Sequence, residues 1–150
     1  MSSIRIRPAR PEDAARLSAL ARAAYFPYVA RMDREPAPMG EDYAARIAAG
    51  EVTVLEDEGV VVGFAVLENH DAALMLDNIA VDPAGQGKGY GRRLLDFTEA
   101  EARRRGYSAI ELYTNEVMVE NLALYRKRGY VETGRRTVAG YRRIFLRKEL

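Results

Sequence analysis

Val81-Asp82-Pro83-Ala84-Gly85-Gln86-Gly87-Lys88-Gly89-Tyr90-Gly91-Arg92 places four glycines at alternate positions. An apolar run, Ala73 to Val81, precedes it. A pattern with apolar positions at Tyr90, Leu94, Leu95 and Phe97 follows, to about Arg105. The segment therefore turns a strand into a helix. Glycines let main-chain N–H groups turn inward and approach a ligand closely. The first turn of the helix adds unpaired N–H groups and the positive end of its dipole. Together these suit a pyrophosphate. Spacing narrows the choice. A P-loop needs Gly five residues before its Gly-Lys pair and Ser or Thr after the Lys; Asp82 and Gly89 stand there. A dinucleotide fingerprint needs Gly at positions 0, +2 and +5; counted from Gly85 or Gly87, the third place holds Tyr90 or Arg92. What remains is Gln86-x-x-Gly89-x-Gly91.

Outward from this loop the chain alternates strands and helices. Ile4 and Ile6 alternate with Arg5 and Arg7 in a short first strand. Pro11-Glu12-Asp13 opens a helix whose buried face is Leu17, Leu20, Ala21 and Ala24, and Pro27 ends it. Tyr28 to Gly40, with Pro36 and Pro38, reads as irregular. A second helix runs from about Glu41 to Ala49, stopped by Gly50. Strands follow at Glu51–Glu56 and Val60–Leu67, joined by the turn Asp57-Glu58-Gly59. The second is almost wholly apolar, as a strand buried on both faces would be. Glu68 to Asp71 is another turn. Beyond the loop and its helix, Gly106 is a cap, Ser108–Thr114 a strand, and Met118–Arg128 a helix that Gly129 ends. Tyr130–Val138 and Tyr141–Arg147 form a hairpin around Ala139-Gly140. The order β-α-α-β-β-β-α-β-α-β-β describes one mixed α/β domain over residues 1–150.

Composition sets the bounds. The 150 residues are 48% apolar and 30% charged, with a net charge of +1, as in a soluble globular chain. The balanced charge argues against nucleic acid as a partner. No apolar run approaches the roughly 20 residues of a membrane span, and Met1 to Arg10 lacks the apolar core of a signal peptide. There is no cysteine. Disulfides, thiolate metal sites and a cysteine nucleophile are excluded, no metal is expected, and a cytoplasmic location fits. Arg103-Arg104-Arg105 reads as a solvated helix end, and His70 as a surface histidine in a turn.

Gln86-x-x-Gly89-x-Gly91, behind Ile79-Ala80-Val81-Asp82-Pro83, resembles the acetyl-CoA motif of the GNAT superfamily of N-acetyltransferases. Leu124-Tyr125 and Gly129-Tyr130 are similar to a second signature of that family, and the element order matches its fold over nearly the whole chain. The resemblance implies acetyl-CoA as cosubstrate. Backbone amides of Gly87, Lys88, Gly89, Tyr90, Gly91 and Arg92 would hold its pyrophosphate. The backbone of Ile79, Ala80 and Val81 would pair with the pantetheine arm, where this strand and the one starting at Ser108 splay apart. Tyr125 would sit near the thioester sulfur as proton donor. The family's common pattern has an Asn seven residues before that Tyr, where this chain has Met118; Asn121, on the same helical face as Tyr125, could take its place. Arg92, Arg93 and Lys127 are candidates for phosphate contacts.

The resemblance also implies direct attack by a neutral amine in a ternary complex. Asp77 is the nearest carboxylate along its strand for a general base, on the face shared by positions 75 and 79. Met75 stands where some relatives carry an acid. A backbone N–H near Val81 would meet the oxyanion. Tyr25-Phe26-Pro27-Tyr28, Arg31 to Met39 and Gly140-Tyr141-Arg142-Arg143 would surround an amine acceptor, small or peptidic. Their aromatics and arginines suit an acceptor bearing a carboxylate. The rival expectation is a CoA-binding sensor that kept the fold and lost turnover. A homodimer through the tail strands or the Tyr28–Met39 region is compatible with the sequence.

Overall fold

The computed structural model describes residues 3–150. Its elements are β1 (Ile4–Pro8), α1 (Ala14–Tyr25), α2 (Tyr43–Ala48), β2 (Val52–Asp57), β3 (Val60–Asn69), β4 (Leu74–Val81), α3 (Tyr90–Arg104), β5 (Ala109–Asn115), α4 (Val119–Lys127), β6 (Val131–Val138) and β7 (Tyr141–Glu149). The succession β-α-α-β-β-β-α-β-α-β-β is the one read from the sequence. Hydrogen-bonded neighbours run β1-β2-β3-β4-β5-β7-β6. Two compact units are distinguished. One holds the residues up to Leu67 with Asn78–Thr98; the other holds Glu68–Asp77 with Glu99–Leu150. Strands β3 and β4 and helix α3 each contribute to both.

In the first unit, β1 and β2 pair antiparallel from Ile4↔Asp57 to Pro8↔Thr53. Strands β2 and β3 pair antiparallel with one irregularity at Leu55/Glu56. Glu58 and Gly59 close that hairpin with φ of 51° and 81°; two positive φ values match the right-handed twist of the strands they join. Helix α1 buries Leu17, Leu20, Ala21 and Tyr25, the i, i+3, i+4, i+8 stripe of an amphipathic helix. Phe64 to Leu67 are all buried, so β3 is covered on both faces there. Each such Leu or Val contributes roughly 1.5–3 kcal/mol by leaving water. Gly63 allows the close approach: a Cβ there would lie 3.1 Å from the Ala80 carbonyl oxygen and 3.1 Å from Leu94 Cδ1. Arg7 is buried but paired, with Asp13 at 2.9 Å and Glu56 at 3.0 Å.

Three expectations change here. The α-helix ends just before Pro27, as expected, but Tyr28 to Gly40 is not wholly irregular, because a 3-10 helix covers Phe26–Arg31 and another Ala37–Gly40. Proline lacks an N–H that the first turn does not use, so Pro27 and Pro38 sit at the starts of these turns without cost. Strand β3 continues through Glu68 to Asn69. On α3 the buried stripe is Tyr90, Leu94, Leu95, Thr98 and Ala102, while Phe97 is half-exposed. Thr98 is tolerated because its hydroxyl donates to the Leu94 carbonyl at 2.8 Å.

In the second unit, β4 and β5 run parallel through Leu74↔Ile110, Met75↔Glu111 and Leu76↔Leu112. The ladder ends there, while β4 runs on to Val81. Strand β7 pairs antiparallel with β5 from Ala109↔Glu149 to Asn115↔Arg143. Strand β6 pairs antiparallel with β7, with an irregularity at Glu132/Gly134. Ala139 and Gly140, at φ of 51° and 84°, turn that hairpin. One sheet face buries Leu74, Leu76, Ile110, Leu112, Ile144 and Leu146. The other carries Asp77, Tyr113, Tyr141, Arg143 and Phe145, all half-exposed. That alternation is the period of two of a strand with unequal faces.

Candidate active site

The glycine loop is a rigid frame with an open edge. Asp82 starts it: its Oδ1 accepts from Ala84 N–H at 3.0 Å, and its Oδ2 from Arg16 Nη2 at 2.9 Å. The Ala84 bond first, and Arg16 after it, hold this carboxyl below the ordinary aspartate range. Gly85, Gln86 and Lys88 N–H groups bond inside the loop, to Asp82, Pro83 and Gly85 carbonyls. Gly85 must lack a side chain, because a Cβ would meet the Tyr90 ring at 2.5 Å. Tyr90 is thereby buried beneath the loop, its hydroxyl bonded to Asp57. Of the residues expected at the cofactor, Tyr90 thus offers its main chain, while Gln86 and Lys88 hold exposed side chains.

The loop's outer edge is built differently. Gly87 and Gly89 have φ of 86° and 78°, where L side chains are strained, and a Cβ on Gly87 would meet nothing within 4 Å. The first α-helical bond of α3 is Arg93 N–H to the Gly89 carbonyl at 3.1 Å. The N–H groups of Tyr90, Gly91 and Arg92 stand ahead of it. No acidic residue occupies the first turn; Arg92 and Arg93 do, and Arg92 Nη2 lies 3.3 Å from where a Gly89 Cβ would be. Amides, dipole and guanidinium all favour an external anion.

The C-terminal half of β4 lies beside this loop in the same unit. Asn78 and Ala80 are buried and Ile79 and Val81 half-exposed. Asn78 accepts from the Tyr25 hydroxyl at 2.7 Å and donates to the Tyr43 oxygen at 2.9 Å. Tyr43 in turn donates to the Pro38 carbonyl at 2.7 Å. A buried amide is affordable only when bonded in this way. The network ties α1, α2 and the Ala37–Gly40 turn to the strand that carries Ile79. Asn78 is a polar interruption of the apolar run Ala73 to Val81, but nothing local in the sequence marks Tyr25 and Tyr43 as its partners.

In the second unit, the Tyr113 hydroxyl donates to Asp77 Oδ1 at 2.7 Å. Burial, and then the Asp77 charge, push the Tyr113 phenol far above its ordinary value, so it stays a donor. Sequence reading missed Tyr113. Its one signal was parity: Glu111, Tyr113 and Asn115 alternate against buried Ile110, Leu112 and Thr114. On α4, Tyr125 is 6% exposed and packs edge-on against Tyr130, ring centres 5.8 Å apart. Asn121 Nδ2 lies 3.8 Å from Met118 Sδ. Gly129, at φ 98°, ends α4, and Tyr130 N–H returns to the Tyr125 carbonyl at 3.0 Å. This left-handed cap explains why Gly129-Tyr130 follows Tyr125 at fixed distance. His70 is on the surface, 3.2 Å from Glu68, and Arg104 and Arg105 pair with Glu101 at the end of α3.

Among the described residues, no group of three or more His, Asp or Glu is placed to hold a metal. No helix of the described residues is long and apolar enough to cross a membrane. A family model described as an acetyltransferase (GNAT) domain matches residues 48–132, more than half the chain. The chain belongs to the GNAT acetyltransferase family. The match takes in β2 to β5, the glycine loop, and α4 with Gly129-Tyr130. The matching model is that of an acetyltransferase domain, and the match covers both segments that carry the family's signatures in this chain.

Related structures agree with this GNAT fold. The N-acetyltransferase PaiA of Thermoplasma acidophilum, solved with coenzyme A, aligns with a TM-score of 0.84 at 19% identity, over 99% of each chain. A GCN5-related N-acetyltransferase of Rhodopseudomonas palustris aligns with a TM-score of 0.80 at 29% identity, over 100% of this chain and 98% of that one. A curated relative, an IAA acetyltransferase of Azospirillum brasilense, is 44% identical over 54 residues. That segment is 36% of this chain and spans about a third (35%) of the relative's length.

Proposed function

We propose that this GNAT enzyme moves the acetyl group of acetyl-CoA to the primary amine of a small molecule or a peptide, by direct attack in a ternary complex. The observation that carries the reading is the loop edge at Gly87 and Gly89–Arg92, where the amides make no backbone hydrogen bond among the described residues, Arg92 is exposed and no acid stands in the turn. A diphosphate fits that edge, and the main chain of Ile79, Ala80 and Val81 continues from it for the pantetheine arm.

The chemistry needs a base, an acid and an oxyanion donor. The amine arrives as an ammonium, and Asp77 takes its proton. The nitrogen lone pair attacks the thioester carbonyl carbon, and the C–O π electrons move onto oxygen, met by a backbone N–H near Val81. The intermediate collapses, the C–S bond breaks, and the CoA thiolate takes a proton from Tyr125. Phenols titrate at about 10, so Tyr125 holds that proton at neutral pH. The product nitrogen loses its second proton to solvent. A chain without cysteine cannot form an acetyl-cysteine intermediate. Asn121, one turn before Tyr125, is proposed to contact the cofactor in the place that Met118 vacates.

Tyr125→Phe tests the assignment. Thiol release from acetyl-CoA with an amine panel should fall by about 10²–10⁴ in turnover, with calorimetric acetyl-CoA affinity nearly kept. Unchanged turnover would remove Tyr125 from the acid role. Affinity in the unaltered protein without release for any amine would leave a CoA-binding module instead.

A further inference from the structure

The half-exposed face of the β4-β5-β7-β6 sheet carries two arginines in an unusual setting. Arg136 and Arg143 are register partners across β6 and β7. Like charges placed directly opposite repel. Their neighbours are neutralised: Arg135 pairs with Glu132, Arg142 with Glu116, and Arg147 with Glu111 and Glu149. Neither the Arg136 nor the Arg143 side chain has a hydrogen bond or ion pair among the described residues. Both rest on rings instead. Arg143 Cζ lies 4.1 Å above the Tyr113 ring and 5.8 Å from that of Tyr141. Arg136 Cζ lies 3.8 Å above Phe145, opposite which β6 has only Gly134. Stacking orients a guanidinium and leaves its N–H edge open for a planar or tetrahedral oxyanion.

The same tyrosine that carries Arg143 on its ring holds Asp77 at its hydroxyl, 2.7 Å away. One tyrosine thus holds a negative group at its hydroxyl and a positive group over its ring face. Glu68 adds negative charge near Tyr113.

We propose that Arg143 and Arg136 bind an oxyanion on the acceptor, so that the enzyme's acceptor is a small amine that also bears a carboxylate or phosphate. Its ammonium meets Asp77 and its oxyanion meets the stacked pair. This deepens the acetyl-transfer reading and rests on it for the amine end.

Amino acids, their amides, O-phosphoethanolamine and spermidine form the panel, read by thiol release at saturating acetyl-CoA and by calorimetry on the CoA-saturated protein. Acids should exceed their amides at least tenfold in kcat/KM, or phosphoethanolamine should exceed both, the better arm naming the oxyanion. Arg143→Gln should collapse that preference through KM, and Arg143→Lys should restore part of it. Amides or spermidine equal to the best oxyanion-bearing amine would overturn the proposal, and so would a preference that survives Arg143→Gln. If no amine releases thiol, the transfer reading fails separately. The oxyanion site then stands only if calorimetry shows acids binding over amides and Arg143→Gln abolishing the difference. Equal or absent binding overturns it.

Discussion

At the residue scale, Tyr113 links the proposed base to its surroundings. A phenol that donates to a carboxylate favours the ionised carboxylate. Burial holds Tyr113 protonated, so the donation persists through the working pH range. Tyr113→Phe removes the donor while keeping the ring on which Arg143 lies. Asp77 should then hold its proton to higher pH, and the acidic limb of kcat/KM should move upward. Asp77→Asn, by contrast, should lose about 10²–10⁴ in rate across the profile. Profiles of wild type and Tyr113→Phe that superimpose would show that Asp77 is not the base. Asn78, the next residue, works the other way. Its side chain is satisfied inside a tyrosine network, so it serves position rather than proton transfer.

At the element scale, the turn from β4 into α3 combines two demands. Gly85 is needed for packing, because Tyr90 fills its space. Gly89 is needed for conformation, at φ 78°, and for approach to a ligand. Gly89→Val should cost about 1–2 kcal/mol in folding, the usual penalty for a left-handed L residue. The neighbouring Arg92 guanidinium is a flexible end that can swing aside. Acetyl-CoA binding should also weaken, by about tenfold or greater, since about 1.4 kcal/mol of lost amide contact suffices. Wild type at a hundredfold excess over Kd should gain about 2.7 kcal/mol of stability from the cofactor. Gly89→Val should lose about half of that gain or more in thermal shift, and an equal shift would detach the loop from the diphosphate. This turn was legible because glycine spacing and caps are local signals; so were Gly50, Gly106 and Gly129, all at positive φ. The two 3-10 segments after Tyr25 were not, because prolines that serve as first-turn residues there also mark irregular chain. The site was legible in halves. The loop shows in a dozen consecutive residues, whereas Tyr113 meets Asp77 from 36 positions away. Arg136 meets Arg143 only through a register set by an irregularity at Glu132/Gly134. No local pattern encodes either.

At the scale of the whole molecule, charge governs the response to acid. Arginines hold several carboxyls below their ordinary range. Arg7 does so for Asp13, and Arg135 for Glu132. Glu101, gripped first by Arg104 and then by Arg105, is held down to about 2. Burial alone would raise Glu99, but bonds from Arg128 and Lys148 outweigh it and leave it lowered. For a carboxyl whose folded value is depressed, the unfolded chain takes up the proton first. The stabilisation is therefore complete above the unfolded values, about 4, and is lost as pH falls through the folded ones. Stability should hold from neutrality to about pH 5 and then decline, with a tail that persists toward 2 as Glu101 protonates. Twenty-two acids against 23 Lys and Arg give near balance at neutrality. Acid removes the negative half and leaves the positive half to repel itself. Glu101→Gln isolates one contribution. Urea melts at pH 5, 4 and 3 should show a shallower loss of stability for the variant, with up to one proton fewer taken up on unfolding. Equal slopes would mean that Glu101 titrates alike in folded and unfolded chains, and that its two arginines do no more for it than solvent does.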